Sequence, residues 1–196
     1  MIREIEHKAV NGALAVVLLL AATAFLIAAF INAARTQQLP RLIGLMLAFP
    51  LLVLCWKGLL VVQPNQGKAL QLFGRYSGTV RAAGLWWVNP FYTARAISLR
   101  VRNFETTKLK VNDHNSNPIE IGAVVVWQVT DTAEALFEVD NYEDYVKVQS
   151  ESALRGLANQ YPYDAHEAGQ MSLSVNTTDV ADKLKVEIQE RLAKAG

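Results

Sequence analysis

Residues 9–34 read AVNGALAVVLLLAATAFLIAAFINAA, without one charged side chain, and Lys8 and Arg35 bracket them. As a helix this run is about 39 Å long at 1.5 Å per residue, enough to cross a ~30 Å hydrocarbon core with some tilt. A cleaved secretory signal has an apolar core of only about 7–15 residues, so the run predicts a retained span. A second uncharged run, Leu42–Trp56, follows it. It is about 22 Å as a helix and reaches spanning length only by continuing through Lys57 to Val62. A lysine near a helix end can extend its ammonium to the interface, and membrane helices tolerate a kink such as Pro50 would cause. The alternative is a segment that dips into the bilayer and returns. Two spans is the preferred reading.

The linker Thr36-Gln37-Gln38-Leu39-Pro40 is short, so the two segments are expected to be antiparallel neighbours. Pro40 suits the first turn of the second helix, where a missing N–H costs nothing. A hairpin puts Met1 and everything after Val62 on one side of the membrane. Arg3, Lys8, Lys57, Lys68 and Arg75 flank that side and outnumber Arg35 and Arg41 at the linker. That imbalance predicts a cytoplasmic domain. The expected organisation is a membrane anchor over residues 1–62, with helices at about 9–34 and 42–62, and a second domain over 63–196.

Most of the charge lies after Val62, and the 196 residues carry a net charge of only +1. No basic stripe appears, which argues against a nucleic-acid partner. The single cysteine, Cys55, excludes an intramolecular disulfide and reads as a small apolar residue in a helix.

Beyond Val61 the pattern changes to strands and tight turns. Ala69–Phe73 alternates, with Gly74, Gly78 and Gly84 marking turns. Arg95–Phe104 alternates again, with Ile97, Leu99 and Val101 on one face. Lys108–Asn112 does the same before the turn cluster Asp113–Pro118. Ile119–Val129 then places Ile119, Ile121, Ala123, Val125, Trp127 and Val129 on one face. Val124 and Val126 on the other predict a strand covered on both sides in its middle, in a long hairpin with the preceding strand.

The period then becomes helical. Asp140 and Glu143 resemble a capping box, and Val146, Ser150, Ala153, Leu154, Leu157 and Tyr161 share one face until Pro162. A second helix opens near Thr177 or Thr178, with Asp179 in its first turn and Ala181, Leu184, Ile188, Leu192 and Ala195 in one stripe. Strands first and helices after predict an α+β domain behind a transmembrane hairpin.

Several motifs in order resemble the SPFH/band 7 family of stomatins, prohibitins and flotillins. They are Val62-Gln63-Pro64-Asn65-Gln66-Gly67, Phe73-Gly74-Arg75-Tyr76-Ser77-Gly78-Thr79, Gly84-Leu85-Trp86-Trp87-Val88-Asn89-Pro90-Phe91, the strand Gly122–Asp131, and the helix Tyr142–Tyr161 with Ser152-Ala153-Leu154-Arg155. The resemblance covers roughly residues 60–196. It implies antiparallel strands packed with helices, and a non-enzymatic scaffold that assembles into homo-oligomers and organises membrane microdomains or membrane protein complexes. A second role it leaves open is the regulatory partner subunit of a membrane protease. Family members carry a long coiled coil after this domain, so a helical stripe ending at Gly196 predicts a chain truncated before it.

Trp86, Trp87, Phe91 and Tyr92 crowd a loop close in sequence to the bilayer. Indole and phenol rings favour the headgroup layer, so these four are the membrane-interface candidates. The equal alternative is a core role, for which Trp87 or Phe91 is the better choice.

Catalytic patterns are missing. His7, His114 and His166 lie in different segments without a second ligand at metal-binding spacing, and His114 reads as part of a solvated turn. Asp140, Glu143 and Asp144 suit a helix start better than paired-carboxylate chemistry. Nucleophile-elbow, phosphate-loop and dinucleotide glycine patterns do not occur. Asn176-Thr177-Thr178 matches a glycosylation sequon, but helix capping explains it on a cytoplasmic domain. An intramembrane protease needs polar residues within its spans, and these offer only Thr23, Asn32, Cys55 and Lys57. The expectation is no enzyme, no cofactor and no metal. The partners expected are a lipid bilayer, further copies of the chain, and other membrane proteins such as a protease.

Overall fold

The computed structural model describes residues 3–164 and 171–193. It divides into two compact units, Glu4–Ser98 and the residues from Leu99 onward together with Arg3.

In the first unit, helix α1 (Gly12–Arg35) opens where the Asn11 side chain accepts the N–H groups of Ala13 and Leu14, at 2.9 and 3.4 Å. That satisfies donors left over at every helix start. Helix α2 (Leu39–Lys57) has Pro40 in its first turn and Pro50 inside. The two pack as neighbours, with Ala15 and Ala33 buried and the Trp56 indole donating to the Thr23 hydroxyl at 3.3 Å. Their large side chains turn outward: Phe25 is 72 % exposed and Leu47 68 %. Both helices are long and apolar enough to cross a membrane.

The second helix departs from the expected 42–62 at both ends. It begins at Leu39, and at about 28 Å it matches a hydrocarbon core without the residues after Lys57. Gly58 closes it, and Leu59–Val62 is a strand, β2. A run of Leu and Val has the same hydropathy in either state; here its pairing partners decide. The first helix likewise begins at Gly12 rather than about 9, because Val10–Asn11 form a short strand, β1.

Four more strands complete this unit: β3 (Gln66–Leu72), β4 (Arg75–Val80), β5 (Gly84–Trp87) and β6 (Tyr92–Ser98). They form two antiparallel three-stranded sheets, ordered β1-β5-β2 and β4-β3-β6. Consecutive residues Ala69 and Leu70 are both fully buried, because β3 is central and covered on both faces. Leu60, Val62, Leu70, Val80 and Val88 make the core, with Ala9, Trp86 and Tyr92 against it. Gly78 lies within β4 beside a bulge rather than in a turn. A Cβ there would stand 2.9 Å from the Ile5 carbonyl oxygen. The bare backbone admits the N-terminal segment, which exchanges hydrogen bonds with Thr79 through Ile5 (2.7 Å) and His7 (2.9 Å).

The second unit contains β7 (Arg102–Glu105), β8 (Leu109–Asn112), β9 (Pro118–Ile121), β10 (Val124–Trp127), α3 (Thr132–Phe137), α4 (Tyr142–Gln160) and α5 (Thr177–Leu192). Arg95–Phe104 is thus two strands, parted where the chain leaves one unit for the other. Ile119–Val129 is also broken. Thr106 is the wedge: it is buried, its hydroxyl accepts the Ala123 N–H, and its own N–H reaches the Ala123 carbonyl, both at 2.9 Å. So β9 pairs β8 while β10 pairs β7. Val124 and Val126 are 65 % and 66 % exposed, not covered on both sides as the pattern predicts.

Helix α3 has no counterpart in the sequence pattern; Asp131 caps it by accepting the Ala133 and Glu134 N–H groups. Helix α4 buries the expected face, Val146 to Leu157, but its cap is Asn141 rather than Asp140. Helix α5 opens at Thr177 as expected and buries Val180 and Ile188, whereas Ala181 is exposed. Ala195 lies outside the described residues. Val111, Leu157, Ala158, Leu173 and Val180 form this unit's core.

Candidate functional site

The strand Gly84–Trp87 fastens both apolar helices. Val10 and Leu59 both stand opposite Trp87, and Asn11 and Leu60 both stand opposite Trp86. The residues just before α1 and just after α2 are therefore laced to the two edges of one strand. The chain approaches tightly there. A Cβ on Gly12 would fall 2.5 Å from the Leu85 carbonyl carbon, and one on Gly58 would fall 2.4 Å from the Val88 carbonyl oxygen. The Trp87 indole donates to the Cys55 carbonyl at 2.9 Å, a second bond to an acceptor that already takes the Gly58 N–H at 3.2 Å in the last turn of α2. The Val88 N–H donates to the Gly58 carbonyl, also at 2.9 Å.

The four aromatic candidates separate. Trp86 and Trp87 lie on a strand, not in a loop, and both are half-buried. Trp86 packs on the core and donates to the Ala82 carbonyl at 2.7 Å. Tyr92 begins β6, packs on the same core, accepts from the Ser77 hydroxyl at 3.0 Å and meets His7 edge-on at 5.3 Å. Phe91 alone of the four is exposed, at 53 %. The core role therefore falls to Trp86 and Tyr92 rather than to the two preferred for it, since Trp87 is half-buried against the end of α2 and Phe91 lies outside. Sequence reasoning missed Phe73, which is 82 % exposed and stacks against Phe91 at 6.2 Å. The alternating pattern places it at the end of a strand, although Phe73-Gly74 is the hairpin tip, with φ of +49° and +86°.

In the second unit the chemistry-bearing residues have structural partners. The Asp113 carboxylate accepts N–H groups from Tyr163 (3.0 Å), Asn117 (2.8 Å) and Asn115 (2.9 Å), and from the Asn117 side chain (3.1 Å). These donors, Tyr163 first, hold its carboxyl below the usual range despite burial. His114 beside it is exposed, and His166 lies outside the described residues. The Ser152 hydroxyl accepts from Arg191 at 3.1 Å. Arg102 pairs with Glu143 and lies near the rings of Trp127 and Tyr142, at 5.7 and 5.9 Å from their centroids. Among the described residues no three of His, Cys, Asp and Glu come together as a metal site.

Comparison with known proteins agrees with this architecture. An uncharacterised protein of Methanothermobacter thermautotrophicus is 21 % identical over 143 residues, 72 % of this chain. The chain spans 45 % of that relative's length. The SPFH domain / Band 7 family matches residues 60–196, from strand β2 onward. The chain belongs to the SPFH domain / Band 7 family.

Proposed function

We propose that this protein is a membrane-anchored scaffold whose copies assemble through the domain that α1 and α2 hold at the bilayer. The family's association with membrane scaffolding supports the class. The observation that carries the reading is the fastening of both apolar helices to one strand. Such a hairpin enters and leaves the membrane on one side, and its orientation is passed directly to the sheet behind it. The cations flanking that side favour the cytoplasm. Strand β10 belongs to a two-stranded sheet and exposes Val124 and Val126, an apolar strand that a second copy can cover. No catalytic role is assigned to any residue.

The test is the mass of the complex in a mild detergent. A large multiple of the 21.7 kDa chain is expected. A strict monomer at every concentration would overturn the scaffold. A discrete heteromer with a protease would instead favour the partner-subunit reading.

A further inference from the structure

We infer that Phe73 and Phe91 form a ridge that docks on an anionic bilayer surface. The inference rests on the preceding reading that α1 and α2 cross that bilayer. Three features of the first unit lead to it.

The ridge is exposed, and the loop under Phe91 is held by hydrogen bonds. The rings sit 6.2 Å apart and are tilted by 35°. Asn89 braces the loop beneath Phe91, its side chain accepting the Phe91 N–H and its carbonyl the Tyr92 N–H, each at 3.0 Å. The core of this unit is filled by other side chains, so two large rings stay outside it. A loop already held in place loses less entropy on docking than a free one.

The ridge stands near the foot of α2. Its loop starts at Val88, whose N–H is bonded to the carbonyl of Gly58, the residue that ends the helix. The helices are also offset. Trp56, one residue from the end of α2, meets Thr23, the twelfth residue of α1. The first eleven residues of α1, about 16 Å, therefore run past the foot of α2 to the point where Gly12 meets Leu85. That stretch is uncharged and exposes Leu14, Val17, Leu18 and Leu20. An apolar environment that covers it reaches beyond the foot of α2, to the depth at which the ridge begins.

Charge selects the surface. The net +1 of the chain conceals two opposite halves. Residues 4–98 hold eight Lys and Arg against two Glu, a net charge of +6, while residues 99–196 hold ten against sixteen, a net charge of −6. Of the eight cations, Arg35 and Arg41 lie at the linker; Lys8, Lys57, Lys68, Arg75, Arg81 and Arg95 lie in the part that carries the ridge. Of the two acids, Glu4 is engaged by Arg81 at 2.7 Å. A unit of net positive charge with exposed aromatics beside a bilayer matches anionic headgroups over an interfacial layer.

The experiment uses the full chain with Cys55→Ala and a single new thiol, Phe73→Cys, carrying an environment-sensitive fluorophore. It is reconstituted in vesicles of phosphatidylcholine alone or mixed with phosphatidylglycerol, each with brominated acyl chains as quencher. The ridge predicts strong quenching in the mixed vesicles, little in phosphatidylcholine, and release by high salt. A probe at Ala82, in the turn before β5, stays unquenched. Arg75→Gln or Lys8→Gln lowers the docked fraction about fivefold. A probe at Phe91→Cys, with Phe73 intact, gives the same result if the first variant folds poorly. Equal quenching in both lipids, or none in either, overturns the inference. A probe shielded from aqueous iodide but untouched by brominated lipid also overturns it, and points to the acidic half of another copy. Because detergent mass reads assembly and quenching reads the ridge, either reading can fail without the other.

Discussion

Each unit contains a packed pair of helices, and the two pairs are built inside out from one another. In α4 and α5 the large apolar side chains, Leu154, Leu157, Val180 and Ile188, face inward, and the charges face water. In α1 the buried positions are small, Gly12, Ala15 and Ala33, and α2 buries none fully, while Leu18, Phe25, Met46 and Leu47 face outward. The same preference for matching surface to solvent produces both arrangements. Water expels Leu157 into a core; a bilayer makes no distinction between a leucine and a lipid tail, so close backbone approach through small residues does the packing.

The sharpest way to break this contrast is to make the same cut in both pairs. Leu157→Ala removes a fully buried side chain from a core and is expected to cost about 2–5 kcal/mol. Leu18→Ala, on the outward face of α1, is expected to change detergent-solubilised stability by less than about 0.5 kcal/mol. Thermal melts of the two variants measure the difference. Similar losses would mean that α1 is a buried helix of a water-soluble assembly.

Second in size is the fastening of α2. Gly58→Ala pushes a methyl group into the Val88 carbonyl and the Trp87 ring, an overpacking expected to cost about 1–3 kcal/mol. The damage should be local. Hydrogen exchange of the β5 amides rises, while that of α4 keeps its wild-type protection. A uniform rise across both units would show that they unfold as one, so that the two helix pairs do not differ in stability.

Acid probes the second unit through Asp113. Its folded carboxyl ionises more readily than in the unfolded chain, where the value is about 3.9. The stabilisation it supplies is therefore complete above that value and lost as the pH falls toward the lower, folded one. Asp113→Asn should melt below wild type at neutral pH, and the gap should close as the pH drops below about 4. A constant gap would assign the loss to packing instead of charge.

Which of these features a sequence discloses depends on the range of the interaction that creates them. The uncharged run after Lys8 is a local property, and so is the buried face of α4, whose spacing from Val146 to Leu157 holds in the structure. The Asp113–Pro118 turn is local as well: one carboxylate organises its own neighbours. Strand β2 was hidden because Leu59–Val62 continues the apolar run before it, and only pairing with residues 84–87 makes it a strand. The break between β9 and β10 depends on Thr106, seventeen residues upstream of the Ala123 amide it binds. Among the aromatic candidates, residue type pointed to the right segment. It could not separate Trp86, held on the core, from Phe91, left outside beside Phe73.

The smallest expected effect on stability tests the surface on which assembly depends. Val126 stands on β10 with its side chain out and pairs with Asn103 on β7 through the backbone alone. Val126→Lys leaves that ladder intact and removes no buried contact, so its cost should stay within about 0.5 kcal/mol. Lysine on an exposed strand discourages another strand from adding, because its charge would be desolvated in the joint. If β10 is where copies meet, this substitution lowers the detergent mass of the complex while the melt stays unchanged. Leu18→Ala, on the outward face of the other unit, should then leave the mass as it was. A Val126→Lys protein that retains its full mass would move the assembly surface away from β10 and leave those valines as solitary exposed side chains, which ordinary proteins tolerate.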